Sequence, residues 1–369
     1  MTAALPPLDD ALLARRLLSE AGGAYARIQR VESVGSTNEW LTRALAAEAQ
    51  AQPDPHSDAQ PDAQPDSQSA TPPQRQVPTA WPHLSVLTAE EQTGGRGRLG
   101  RAWSSPKGAS LSTSIVLRPQ LAVEHLGWLS MLAGRALVDT LRQDFGLDTA
   151  DQRAVLKWPN DVQVTQAEGP EKKISGILAS AVTGRPAAPG AVVLGVGINV
   201  LLTPEQLPIE NSTSVLIELR RRAAGRLDPG LAAGGQGLGD QEPESQEPGA
   251  LRTELLCCFL ERFANLLGPV EAAARRAPET VSEVLVTMVS RVLSTLGQQV
   301  RVELPDGSAE RGVAQRLTSQ GALQVEVTAR RATAEQGWQP CMPELKAFSA
   351  GDVTHLRADR AGAQRPPVD

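Results

Sequence analysis

Between Glu91 and Gly108 the chain reads EQTGGRGRLGRAWSSPKG, with Arg96, Arg98 and Arg101 interleaved among Gly95, Gly97 and Gly100. A glycine-rich loop can bring backbone N–H groups close to a ligand, and guanidinium forks match the oxygens of a phosphate or carboxylate. The chemistry to expect is the clamping of an anion, with the loop acting as a lid. The same glycines also spell GxGxxG, the pattern of dinucleotide-binding turns, but such a turn must open a helix. Here Ser104, Ser105, Pro106 and Gly108 follow, then a strand-like run, so the dinucleotide reading fails. The plain alternative is a solvated basic turn.

Three further clusters carry polar groups at strand or helix ends. LKWPNDV (156–162) places Asn160 and Asp161 after a proline, either a simple turn or part of a site. In KKISGIL (172–178), Lys173 opens an apolar strand, where its ammonium is desolvated unless it meets an anion; a snorkelling lysine is the competing account. GVGINV (195–200) ends a buried strand with Asn199, and Gly195 and Gly197 allow close approach of a flat ligand or mark a bulge. Ser36, Thr37 and Asn38 read first as a helix N-cap. No GxSxG occurs, and His56, His83, His125 and His355 lie away from these clusters. Chemistry here must rest on positioning and electrostatics.

The elements that position these groups are legible from periodicity. Apolar residues recur at helical steps in Trp128–Leu141, Leu251–Leu267 and Val281–Leu296. Residues 84–90, 110–119, 154–162, 173–182 and 191–200 read as strands. Hairpin-length gaps between strands, with helices elsewhere, point to an α+β sheet. AQPD repeats make 48–80 a disordered insertion; 223–250 has the same composition, and a third polar stretch at 329–343 interrupts strand-like sequence. After Gly297 short alternating runs suggest a small antiparallel barrel.

With 369 residues, 41% of them hydrophobic, the chain holds about two domains. A net charge of −6 argues against nucleic acid as a default partner. Three cysteines cannot make a disulfide framework, no stretch is apolar enough to span a membrane, and no signal peptide is evident, so a soluble cytoplasmic protein is expected.

Taken in order, STN, QTGGRGRLGRAWSSPKG, KWPND, KKISGIL and GVGINV resemble the biotin protein ligases, and 297–356, ending FSAGDVTHLR, is similar to that family's C-terminal domain. The resemblance implies a mixed sheet with helices, akin to class II aminoacyl-tRNA synthetases, over residues 1–296. It implies an SH3-like β-barrel over 297–358 and a disordered tail over 359–369. It also implies a two-step reaction: biotin and ATP with Mg2+ give biotinyl-5′-AMP, and a lysine of a biotin carboxyl carrier protein then takes the biotinyl group, with no tightly bound cofactor.

Carried over by motif, Lys173 and Arg98 are the expected catalytic pair. Ser36, Thr37, Asn38, Gln92, Gly95, Arg96, Arg98, Lys173 and Gly176 are expected around biotin. Arg98, Arg101, Trp103, Asn160, Asp161, Lys173 and Asn199 are expected around the nucleotide. No adenine-stacking residue or metal ligand can be named. About 30 residues precede the Ser36 motif, so a monofunctional form without DNA binding is expected. Oligomeric state is open, a homodimer included. The rivals are a lipoate–protein ligase of the same fold and a non-enzymatic nucleic-acid-binding protein.

Overall fold

The computed structural model describes residues 5–51, 80–182, 190–226, 248–349 and 352–355, apart from positions 105, 168 and 305. Seven strands build the large sheet: β1 (Arg27–Val34), β2 (Ser85–Gln92), β3 (Ser110–Leu117), β4 (Gln152–Lys157), β5 (Asp161–Gln166), β6 (Lys172–Val182) and β7 (Ala191–Asn199). Their order is β1-β2-β3-β7-β6-β5-β4, antiparallel throughout except for the β1–β2 pair. The α+β expectation is met.

Strand alternation sends successive side chains to opposite faces, and both faces of the central strands are covered. Ile115, Leu117, Val192 and Leu194 join the main core with α3 (Trp128–Gln143) and α5 (Pro248–Arg276). Val116, Val193 and Leu87 instead meet Leu41 and Leu45 of α2 (Thr37–Ala51) and the indole of Trp81. Each such side chain removed from water contributes roughly 1.5–3 kcal/mol. Burial on two faces explains why these strands read as continuous apolar runs.

Three readings need correction. Residues 154–162 are not one strand: β4 and β5 form a hairpin, Lys157 opposite Asp161, around Trp158, Pro159 and Asn160. The third helix, α6 (Val281–Ser290), stops short of Leu296, and the chain then turns to Gly297, whose φ of +78° suits glycine. The polar stretch 329–343 does interrupt the strands, but only over 332–338: its ends belong to β10 (Leu323–Arg331) and β11 (Gln339–Phe348), which pair with each other. Three elements, α1 (Asp10–Leu17), the edge strand β1 and α4 (Val215–Arg226), are absent from the sequence reading; β1 is half-exposed with no apolar run to betray it.

The 359–369 tail lies outside the described residues, and both insertions lie mostly outside them, but the start of the first and both ends of the second are helical. α2 runs to Ala51, α4 (Val215–Arg226) covers 223–226, and α5 starts at Pro248. Glu48 accepts the Trp81 N–H at 3.1 Å and pairs with Arg118 at 3.2 Å, so the two flanks of the first insertion are tied together. After Gly297, β8 (Gln299–Glu303), β9 (Ala309–Leu317), β10, β11 and β12 (Asp352–His355) form an antiparallel sheet ordered β11-β10-β9-β8-β12. It is tied to α3 and to the β4–β5 turn through indole N–H bonds, Trp128 to the Ser319 carbonyl and Trp158 to the Gly321 carbonyl, both 3.0 Å.

Candidate active site

On the α2 side of the large sheet the apolar residues give way to small ones. One row across four strands is Ala89, Ser112, Gly197 and Gly176, and the next contains Ser114 and Gly195. The signal was in the sequence, where SLSTSIVL alternates serine with apolar residues, yet Ser112, Thr113 and Ser114 were missed as candidates. The resulting cleft has a volume of about 210 Å3, room for a small molecule rather than a single water of about 30 Å3.

One side of the cleft is uncharged and internally bonded. Ser36 caps α2, its Oγ accepting the Glu39 N–H at 3.4 Å, as the cap signal predicted. Thr37 directs its N–H (2.8 Å) and its hydroxyl (3.0 Å) to Gln92 Oε1, which leaves the Gln92 amide NH2 as a donor. Asn38 donates to the Leu178 carbonyl at 3.0 Å, and the Ser114 hydroxyl reaches both Thr37 Oγ1 and Asn38 Oδ1. Gly195 is required here, because a Cβ would stand 2.3 Å from Asn38 Oδ1.

The other side is charged. Lys173 Nζ pairs with Asp161 Oδ1 at 2.7 Å. It reaches the cleft through a bulge: the β5–β6 register slips after Val162, so Ile174 and Ile177 both enter the core although three residues apart. Lys173 is thereby turned to the same side as Gly176. Asn160 donates to the Ile177 carbonyl at 2.7 Å and accepts from Arg98 at 3.1 Å. Burial lowers the pKa of Arg98 from its ordinary value, with Asp161 opposing that drop and Arg101 adding to it.

The lid is a small hairpin. Trp103 N–H bonds to the Gly95 carbonyl at 2.9 Å, Gly97 N–H to the Arg101 carbonyl at 2.8 Å, and the tip turns through Leu99 and Gly100 at positive φ. Its stem is pinned by Thr93 to Val34, Gly94 to Gly35 and Gly108 to Glu90. Arg96 pairs with Glu39 of α2 at 2.9 Å. The Trp103 ring packs on Gly176 and Gly197, where Cβ atoms would come within 3.2 and 2.5 Å of it. The close approach expected at Gly197 is therefore made by the protein's own indole, and that at Gly195 by Asn38.

Of the residues singled out from sequence, all but Gly95 line the cleft. Gly95 instead closes the lid base, where a Cβ would strike the Trp103 carbonyl at 2.6 Å. Asn199 donates to the Thr213 carbonyl at 3.1 Å, and Pro208, Ile209 and Ser212 from the same connection complete the rim. Trp103 Nε1 and Asn199 Oδ1 are buried with no hydrogen-bond partner among the described residues. The lining holds Arg96, Arg98, Arg101 and Lys173 against one carboxylate, Asp161, an anion-attracting balance in an acidic protein. No cluster of three His, Cys, Asp or Glu side chains able to hold a metal occurs among the described residues.

Comparison with known proteins agrees with this geometry. Residues 68–199 match the biotin/lipoate A/B protein ligase family, and residues 295–356 match the biotin protein ligase C terminal domain. The chain is 30% identical over 354 residues to the biotin–(acetyl-CoA-carboxylase) ligase of Mycobacterium tuberculosis, covering 95% of this chain and 97% of that one. It is 31% identical to a bifunctional ligase/repressor of Bacillus subtilis over 40% of this chain and 42% of that one. The biotin protein ligase of Aquifex aeolicus, solved with biotin and ATP, shares the fold at a TM-score of 0.51 and 20% identity, over 90% of this chain and all of that one. A relative matched along nearly its whole length, together with a C-terminal match to a domain named for the biotin enzymes, places this chain in the biotin protein ligase family.

Proposed function

We infer that this chain activates biotin with ATP to biotinyl-5′-AMP, releasing pyrophosphate, and transfers the biotinyl group to a lysine of a biotin carboxyl carrier protein. The observation that carries the reading is the two-sided cleft, uncharged hydrogen-bonding groups facing four cations and one carboxylate. That arrangement suits a molecule with a neutral polar ring at one end and a carboxylate to be joined to a nucleotide at the other. In the first step a carboxylate oxygen bonds to the α-phosphorus as the bond to pyrophosphate breaks. In the second, the lysine amine bonds to the acyl carbon, AMP leaves, and the amine loses a proton.

In this reading Ser36, Thr37, Asn38 and Gln92 hold the ureido ring, with the Gln92 NH2 as a prepared donor. Lys173 exchanges Asp161 for the carboxylate and α-phosphate oxygens, where negative charge grows towards the transition state. Arg98 spans the adenylate from the lid, Arg96 and Arg101 add to the field, and Gly176 keeps the strand close to the ligand. Trp103, Asn160, Asp161 and Asn199 form the nucleotide side. The unpartnered Trp103 Nε1 and Asn199 Oδ1 support ligand contact there, since a buried polar group left without a partner costs about 1–3 kcal/mol. Magnesium arrives with ATP as part of that substrate, and Asp161 is the lining carboxylate that would face it. The net charge of −6 supports leaving DNA out.

No described helix is long and apolar enough to cross a membrane, and the free thiols of Cys257, Cys258 and Cys341 support the cytoplasm as the working compartment. The test is biotin-dependent exchange of labelled pyrophosphate into ATP by the purified chain, followed by labelling of a carrier domain. Exchange driven by lipoate and not by biotin would overturn the substrate assignment.

A further inference from the structure

The partner groups Lys173 and Asp161 sit on different strands, which pair directly through Asp161 opposite Gly176 and through Asn160 with Ile177, and a further set of contacts reaches both strand ends from outside the large sheet. Trp158 begins the turn that leads to Asp161, and its backbone N–H bonds to Thr295 Oγ1 at 3.0 Å. Thr295 Oγ1 lies 3.2 Å from His355 Nε2, and His355 Nδ1 lies 3.0 Å from Glu171 Oε2. Glu171 directly precedes β6 and stands two residues before Lys173. His355, in the last strand of the C-terminal sheet, thus contacts Glu171, two residues before Lys173, and through Thr295 the backbone of Trp158, three residues before Asp161.

A backbone N–H only donates, so Thr295 Oγ1 accepts from Trp158, and the Thr295 hydroxyl and the two ring nitrogens of His355 continue a line of hydrogen-bonding groups to the Glu171 carboxylate. Thr295 is fully buried, as is Trp158, whose indole N–H is itself held by the Gly321 carbonyl. Lys157 lies beside the same groups: burial lowers its pKa from its ordinary value, with Asp161 and Glu171 opposing.

We propose that His355 is a positioning residue for the adenylation step, fixing the 158–161 turn against the start of β6 so that Lys173, released from Asp161, meets the reacting oxygens in one geometry. The proposal rests on the reading that Lys173 acts in adenylation. Small displacements of such groups are costly in rate, about a hundredfold per ångström, whereas the biotin-ring side is built mainly from α2, β2 and β3, meets β6 only at the Leu178 carbonyl five residues beyond Lys173, and should feel them much less.

The test uses the full chain. His355→Ala, His355→Gln and Thr295→Val are compared in pyrophosphate exchange, with biotin affinity by calorimetry and rates expressed per biotin-binding site, so that misfolded protein is not counted. The expected result for His355→Ala is a kcat about tenfold or more lower with unchanged biotin affinity. His355→Gln should recover most of it, because its amide oxygen can accept from Thr295 while its NH2 donates to Glu171. Adding Thr295→Val to His355→Ala should cost little more than the worse single change. Wild-type kcat in His355→Ala, equal losses of kcat and biotin affinity, or no recovery in His355→Gln overturns the proposal. Lys173→Ala is run alongside: if it keeps wild-type exchange, the reading of the site has failed; if it is inactive while His355→Ala is normal, the positioning role alone has failed.

Discussion

The two sides of the cleft differ in what holds them. On the α2 side, Ser36, Thr37, Asn38, Gln92 and Ser114 bond to one another and to the strands, so that surface exists before any ligand arrives. On the charged side, groups suited to a ligand are held by partners that an anion would displace: Lys173 by Asp161, Arg98 by Asn160, Arg96 by Glu39. A preformed surface favours recognition, because little ordering remains to be done on binding. A surface of exchangeable ion pairs favours differential binding, because its groups bond best where new charge appears.

This difference can be broken by single changes, ordered here by the size of effect expected. Lys173→Ala should slow pyrophosphate exchange by about 10²–10³, with biotin affinity nearly intact; a variant that lost affinity and kept exchange would move Lys173 to the ring side. Arg98→Gly removes a charge-assisted contact from the hairpin over the cleft and should let labelled biotinyl-5′-AMP escape about 10–100 times faster. Rapid filtration measures that escape. A wild-type escape rate with slowed formation would make Arg98 a group of the chemical step instead.

Gly195→Ala probes the opposite side. Its Cβ would press on Asn38 Oδ1, and overpacking of about 1–3 kcal/mol should appear as biotin affinity roughly tenfold weaker with kcat at saturation little changed. Calorimetry and exchange on the same sample decide it, and a fall in kcat alone would mean the two sides are not independent. Smallest of all, Arg96→Ala breaks an exposed pair with Glu39, and adenylate retention should change by less than about fivefold. A loss as large as that of Arg98→Gly would show that closure depends on the α2 contact.

The legible and illegible parts of this site divide along physical lines. The cap at Ser36, the basic hairpin and the glycines of β6 and β7 were readable because each depends on local backbone needs or on residue type. Asn160 and Asp161 are readable as a turn after Pro159, and they are both turn and site; the strand drawn over 154–162 runs through that turn because Trp158 looks apolar enough to continue it. Ser112 and Ser114 went unread because a serine in a strand shows its role only when its neighbours across the sheet are known. The edge strand β1 lacks the apolar run that periodicity requires, whereas α1 carries a readable signal in its Asp9 cap and in Leu8, Leu12, Leu13 and Leu17.

What the sequence alone determined is the inventory: an uncharged set, a basic set, a lysine at a strand start, and small residues where close packing is needed. Which way these face was decided by the tertiary structure. Side chains alternate along a strand, so a slip of one residue reverses every face. It is the bulge at Ile174 that gives the cleft Lys173. Likewise the bond from Trp158 to Thr295 and on to His355 joins residues far apart in the chain, and no local propensity encodes such a contact. It arises only when the second sheet closes over the first.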